Sequence, residues 1–228
     1  MRDKSFLSTE EAVKVSDFVP GALVRSSKGD FFMAAFIYPT FPSATEAHEA
    51  IAVFKSIDDC ATWEEVSRIP SFVTYGVWGY DLAIGEDGSL YFTWVAAVYD
   101  ANTRQPFKAI MFSRSDDYGY TWTEPTYVND VLAGQRWHTV MTVSGSNVYI
   151  AWLDSQRPSD AEHPQDAKCH WPGPPGRTTQ QDVCFAKSAD RGETWSDNIT
   201  LETDLDRKDS ASVRPLSALV RMVPSIVP

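Results

Sequence analysis

Seven polar side chains carry the chemistry this chain can offer: Asp81 and Asp154, Arg136, Arg157 and Arg214, and Tyr80 with His138. A carboxyl group can hold or release a proton, so Asp81 and Asp154 are the candidate catalytic groups. An arginine fork meets a carboxylate through two parallel N–H···O bonds. That makes Arg136, Arg157 and Arg214 candidates for binding an acidic ligand. Tyr80 and His138 would complete the contacts by hydrogen bonding. Plainer readings stand beside these. Asp154 and Arg157 can tie two strand ends together, and a histidine next to Trp137 fits a half-buried structural role. His163, Cys169 and His170 lie close together, but their spacing fits no zinc pattern, so neither metal nor cofactor is expected.

The elements that must position these residues are marked by a repeated corner. Ser115, Asp117, Gly119, Thr121 and Trp122 form the skeleton Ser-x-Asp-x-Gly-x-Thr-Trp. It returns at Ser188, Asp190, Gly192, Thr194 and Trp195. A third copy, at Ser56, Asp58, Cys60, Thr62 and Trp63, has cysteine in the glycine slot. The aspartate can accept hydrogen bonds from nearby backbone N–H groups and close the loop. Glycine supplies a positive φ that other residues resist. Threonine starts a strand, and the tryptophan buries a large ring. Strand-forming runs precede each copy, at 50–54, 108–112 and 182–186. Each corner therefore reads as a hairpin turn, and its recurrence predicts a propeller or array.

The corner resembles the Asp-box, or bacterial neuraminidase repeat, of the sialidase superfamily. That resemblance implies an all-β propeller of four-stranded antiparallel blades, each corner joining a third strand to a fourth. It implies structural roles for Asp58, Asp117, Asp190, Gly119, Gly192, Trp63, Trp122 and Trp195. The expected blades run over about 20–67, 78–129 and 136–202, with the start of a fourth at 213–228 and a closing edge strand within 1–19. Three blades and a fragment make an incomplete ring. Closure is expected from a missing C-terminal part or from self-association.

The resemblance also assigns faces. The corners lie away from the active site, so the inner-strand starts and second-strand ends point the seven candidates toward a funnel at the other end. Sialidases hold a carboxylate with three arginines and use a Tyr-Glu pair and an acid/base Asp, and glycoside cleavage needs such paired groups. Here the place of the family's leading Arg-Ile-Pro motif reads Val19-Pro20-Gly21-Ala22-Leu23. Arg68-Ile69-Pro70 instead follows a corner and an outer strand, and no Tyr-Glu pair can be placed. Trp78, Trp137 and Trp171 read as sugar platforms or as core. Two functions follow from the resemblance: a sialidase-like exo-glycosidase acting on glycans with an acidic terminal sugar, or a noncatalytic propeller binding glycans or proteins.

A net charge of -11 argues against nucleic-acid phosphates and anionic membranes as partners. No 18-residue apolar run predicts a membrane span. The polar start Met1-Arg2-Asp3-Lys4-Ser5 has no secretory signal, yet the family resemblance implies an extracellular or cell-surface protein. Three cysteines give no closed disulfide set, and Cys169 with Cys184 is the plausible pair. Asn198-Ile199-Thr200 is a glycosylation sequon.

Overall fold

The computed structural model describes residues 18–37, 50–69, 77–99, 106–130, 136–154 and 180–206. These form three four-stranded antiparallel sheets. Blade 1 holds β1 (Phe18–Arg25), β2 (Phe31–Ile37), β3 (Ala50–Ser56) and β4 (Glu64–Ile69). Blade 2 holds β5 (Val77–Ile84), β6 (Leu90–Tyr99), β7 (Pro106–Ser115) and β8 (Thr126–Tyr127). Blade 3 holds β9 (Arg136–Ser144), β10 (Asn147–Asp154), β11 (Gln180–Ser188) and β12 (Ile199–Asp206). Strand order follows sequence order within each sheet, and the inner strands β1, β5 and β9 are successive neighbours. The blades therefore stack around a common side. β1 begins at Phe18, taking in the last residues of the expected edge segment. The rest of that segment and the fourth-blade start at 213–228 lie outside the described residues. Among the described residues no helix is long and apolar enough to cross a membrane.

The period-two pattern of the second strands decides which side faces which blade. Phe32, Ala34 and Phe36 of β2 and Ile51 and Val53 of β3 pack against Leu90, Phe92, Trp94 and Ala96 of β6. The alternate residues Tyr91 and Val95 turn to the other side. There, with Ile110 and Phe112, they meet Val148, Ile150 and Trp152 of β10. Burying a side chain of this size stabilises the fold by about 1.5–3 kcal/mol each, so the two seams hold the blades together.

The three corners share one set of hydrogen bonds. Asp117 Oδ1 accepts from Ser115 Oγ and from Thr121 N, both at 2.8 Å, and Oδ2 accepts from Thr121 Oγ1 at 2.6 Å. Asp190 repeats this with Ser188 and Thr194, and Asp58 with Ser56 and Thr62. Hydrogen bonds from Ser188 and Thr194 hold the Asp190 carboxyl at about 2. Burial pushes Asp117 up, but hydrogen bonds from Thr121 and Ser115 outweigh it and leave that carboxyl below its usual value. Two consecutive residues are left-handed in each corner: Asp59 and Cys60, Tyr118 and Gly119, Arg191 and Gly192.

The glycine slot is set by the blade behind it. A Cβ on Gly119 would lie 3.1 Å from Leu90 Cδ1 of its own blade and 3.3 Å from Val53 Cγ1 of blade 1, and one on Gly192 would run into the Phe112 ring of blade 2. Cys60 carries a Cβ at φ 67°, and it is exposed. The tryptophans follow the same rule. Trp122 packs in the seam with blade 1 and donates from Nε1 to Ser67 Oγ at 3.1 Å. Trp195 meets Phe112 edge-on at 5.1 Å. Trp63 lies with Met33, Ala35, Ala52 and Phe54 on the side of blade 1 away from blade 2.

Candidate functional site

Each inner strand is irregular near the end opposite the corners. Register shifts fall between Pro20 and Leu23 in β1 and between Val77 and Tyr80 in β5. In β9 the break falls at His138, between Trp137 and Thr139, which pair with Leu153 and Trp152. A bulge bends its strand and re-aims a side chain, and such features gather beside binding sites. Three bulges toward the same end of the inner strands therefore make this end the candidate site. The sequence signal was present in part: Gly21 and Gly79 stand inside strand patterns, where an isolated glycine suggests a bulge.

His138 occupies the β9 bulge at φ 45° and is exposed. A non-glycine residue in this conformation costs of order 1 kcal/mol, so its surroundings hold it there. The neighbour across the seam is Gly79, where a Cβ would lie 2.7 Å from His138 Cα. Partial burial of the His138 ring pushes its pKa below the usual histidine value, which keeps it neutral near pH 7. A neutral imidazole can both donate and accept hydrogen bonds.

Behind His138 lies a buried polar knot. Arg136, 2% exposed, pairs its Nε with Asp154 Oδ2 at 3.1 Å and donates from Nη1 to Lys108 O at 2.7 Å. Arg136 and Asp154 are also cross-strand partners in the ladder. The guanidinium thus joins blade 3 to blade 2. Lys108, which sequence reasoning did not single out, sends its ammonium over the Trp137 ring. Burial pushes that lysine down to about 8. Its signal was a lysine within the apolar run Phe107-Lys108-Ala109-Ile110.

Asp81 stands further along β5. Its Oδ2 accepts from Met141 N of β9 at 2.8 Å, and its Oδ1 from Leu82 N at 2.9 Å. Burial pushes the carboxyl up to about 6 against the pull of those two N–H groups. Beside it, the buried hydroxyls of Thr93 and Thr139 meet at 3.2 Å across the same seam. Tyr80 turns the other way and packs between Phe36 at 5.1 Å and Phe92 at 6.2 Å. The structure therefore places Asp81, Arg136 and His138 on the inner strands of blades 2 and 3, with Asp154 beside Arg136 at the end of β10, and places Tyr80 in the seam of blades 1 and 2. Arg157, Arg214, Trp171, His163, Cys169 and His170 lie outside the described residues, as does the side chain of Trp78. Cys184 is buried and disulfide-bonded, while Cys60 is a free thiol. Asn198 is 2% exposed and donates from Nδ2 to Asp130 Oδ1 at 2.6 Å, so the sequon amide is already engaged. Arg68 sits on the outer strand β4, exposed and paired with Glu65 at 2.7 Å.

Solved structures share this fold. A GH93 α-L-arabinofuranosidase of Fusarium graminearum, solved with arabinobiose, superposes with a TM-score of 0.52 at 16% identity, covering 82% of this chain and 49% of that one. A Penicillium chrysogenum α-L-arabinanase, also with arabinobiose, gives 0.51 at 18% identity over 82% and 50%. A Hadza microbial sialidase gives 0.51 at 17% identity over 82% and 37%. The chain thus has the sialidase-like β-propeller fold. It spans about half the length of the arabinofuranosidase and arabinanase chains. No protein-family model and no curated protein matches it.

Proposed function

We propose that the chain is part of a carbohydrate-directed propeller of the sialidase-like class, whose mouth binds a glycan ending in an acidic sugar without cleaving it. One observation carries the reading. His138 is held, exposed, in a conformation that glycine would adopt without strain, at the bulge of an inner strand. Strain kept at a mouth in this way supports a binding role, because stability alone would favour glycine there. Against hydrolysis by the described residues stand the Arg136–Asp154 pair and Asp81, whose two oxygens both accept backbone N–H groups.

The second reading is a sialidase-like exo-glycosidase. It is favoured by the Asp81 carboxyl, raised to about 6 on an inner strand, since a carboxyl protonated near neutrality is what a general acid requires. The likeness to arabinofuranosidases and a sialidase agrees with either reading.

One set of assays separates them. Binding of sialylated and arabinose-containing oligosaccharides is measured beside turnover of fluorogenic sialoside and arabinoside. The binding reading expects affinity without turnover, and weaker affinity in His138→Gly while the fold becomes more stable. Turnover abolished by Asp81→Asn would establish the glycosidase instead. Unchanged affinity in His138→Gly would remove the histidine from the site.

A further inference from the structure

We infer that Gly79 of β5 is the positioning residue for His138: its bare backbone fixes where the imidazole stands, given the reading of His138 as a binding residue. The bulges of blades 2 and 3 are copies of each other. Val77-Trp78-Gly79-Tyr80 and Arg136-Trp137-His138-Thr139 stand in the same register. Val77 and Arg136 pair with Ala96 and Asp154, while Tyr80 and Thr139 pair with Trp94 and Trp152. Three steps along each inner strand thus face two along its partner, so each strand carries one extra residue. The position that holds His138 in blade 3, at φ 45°, is glycine in blade 2. These two residues are the ones that meet across the seam.

The ties of β9 to blade 2 explain why it needs the extra residue. Three of its side chains face that blade. Arg136 reaches Lys108 O at 2.7 Å, Thr139 Oγ1 meets Thr93 Oγ1 at 3.2 Å, and Met141 packs in the seam with Tyr91 and Ile110. Alternation allows this for 139 and 141, two apart, but not for 136 and 139, three apart. His138 absorbs the mismatch and leaves the ladder. The strands are held on either side of the contact. Tyr80, next to Gly79, is seated between Phe36 and Phe92, and Asp81 Oδ2 accepts from Met141 N at 2.8 Å. A Cβ on Gly79 would stand 2.7 Å from His138 Cα, 3.0 Å from its N and 3.2 Å from Thr139 N. Carbon atoms in contact keep about 3.5–4.0 Å, so His138, between the anchored residues, would give way by about 1 Å. A binding group tolerates a displacement of only about 0.5 Å.

Titration of the His138 ring by NMR in Gly79→Ala tests this on the 228-residue chain. The chain has four histidines, and the signal lost in His138→Gly identifies the one at position 138. In the parent chain, partial burial keeps that ring below the usual histidine value. In Gly79→Ala it is expected to titrate nearer the usual value. Affinity for a sialylated oligosaccharide is expected to fall about tenfold, the worth of one hydrogen bond. Gly192→Ala strains the same pair of blades at the corner end and is expected to leave the His138 titration where it was. An unmoved titration in Gly79→Ala overturns the inference, and so does an equal shift in Gly192→Ala. If the single variant does not fold, the double variant with His138→Gly is expected to, because glycine can shift its backbone where histidine cannot. A double variant that stays unfolded also overturns the inference. The titration decides what places His138, and the affinity decides what His138 does. A moved titration with full affinity upholds Gly79 and ends the binding reading.

Discussion

The two ends of each blade are built on opposite plans. At the corner end, the aspartate and serine hydrogen bonds join residues two or four apart in sequence. At the mouth, the ties run between blades: Arg136 to Lys108 across 28 positions, and Asp81 to Met141 across 60. The aspartate, serine and threonine bonds close within the turn, so that part of it can be copied from blade to blade, while residues such as Trp122 and Arg191 tie each corner to the blade before it. A buried polar tie requires matched partners on two blades, so it is made once. The corner end therefore sets the repeat, and the mouth end carries what is particular to this chain.

Four measurements press on that difference, the largest effect first. Arg136→Ala removes the guanidinium that pairs with the buried Asp154 carboxylate and is expected to cost about 3–5 kcal/mol in urea denaturation. A loss near 1 kcal/mol would mean that the mouth is held no more firmly than a surface pair.

The second is a pH comparison. The Asp81 carboxyl is raised to about 6 in the fold, above its ordinary value of 3.8. Between those values the unfolded chain ionises first, so stability falls as pH rises from about 4 to 6, by at most about 3 kcal/mol. Asp190 runs the other way. Its carboxyl is lowered to about 2, so its contribution is present above about 4 and is lost as pH falls through 2. Denaturation of Asp81→Asn across pH 4–6 should lose the first slope and keep the acid-side loss.

The third concerns the corners alone. Gly192→Ala pushes a Cβ into the Phe112 ring at a left-handed position and is expected to cost about 2 kcal/mol in thermal unfolding. Cys60→Ala, with no described blade behind it, should change stability by less than about 0.5 kcal/mol. Equal losses at the two sites would break the view that the preceding blade sets the glycine slot. The smallest effect is His138→Gly, expected to gain about 1 kcal/mol by relieving the left-handed backbone. A loss instead would make the bulge histidine a packing residue.

This division also explains what the sequence could tell. The corners were readable because their hydrogen bonds close within eight residues, from Ser115 to Trp122. The faces of β6 and β10 followed from alternation, since Leu90, Phe92 and Trp94 take one side and Tyr91 and Val95 the other. The mouth was readable only as a set of positions. Nothing local says that Arg136 turns into the seam, that Tyr80 joins an aromatic stack, or that Lys108 is buried over Trp137. Those outcomes depend on a neighbouring blade whose residues stand tens of positions away.

The near-contact of Gly79 with the His138 backbone has a consequence for what can enter the molecule. With no side chain between them, the two innermost strands there stand as near as chains can, so that wall cannot yield inward. A ligand seated on this wall would meet a fixed spacing between the two strands, so discrimination by size there falls to side chains and not to the backbone.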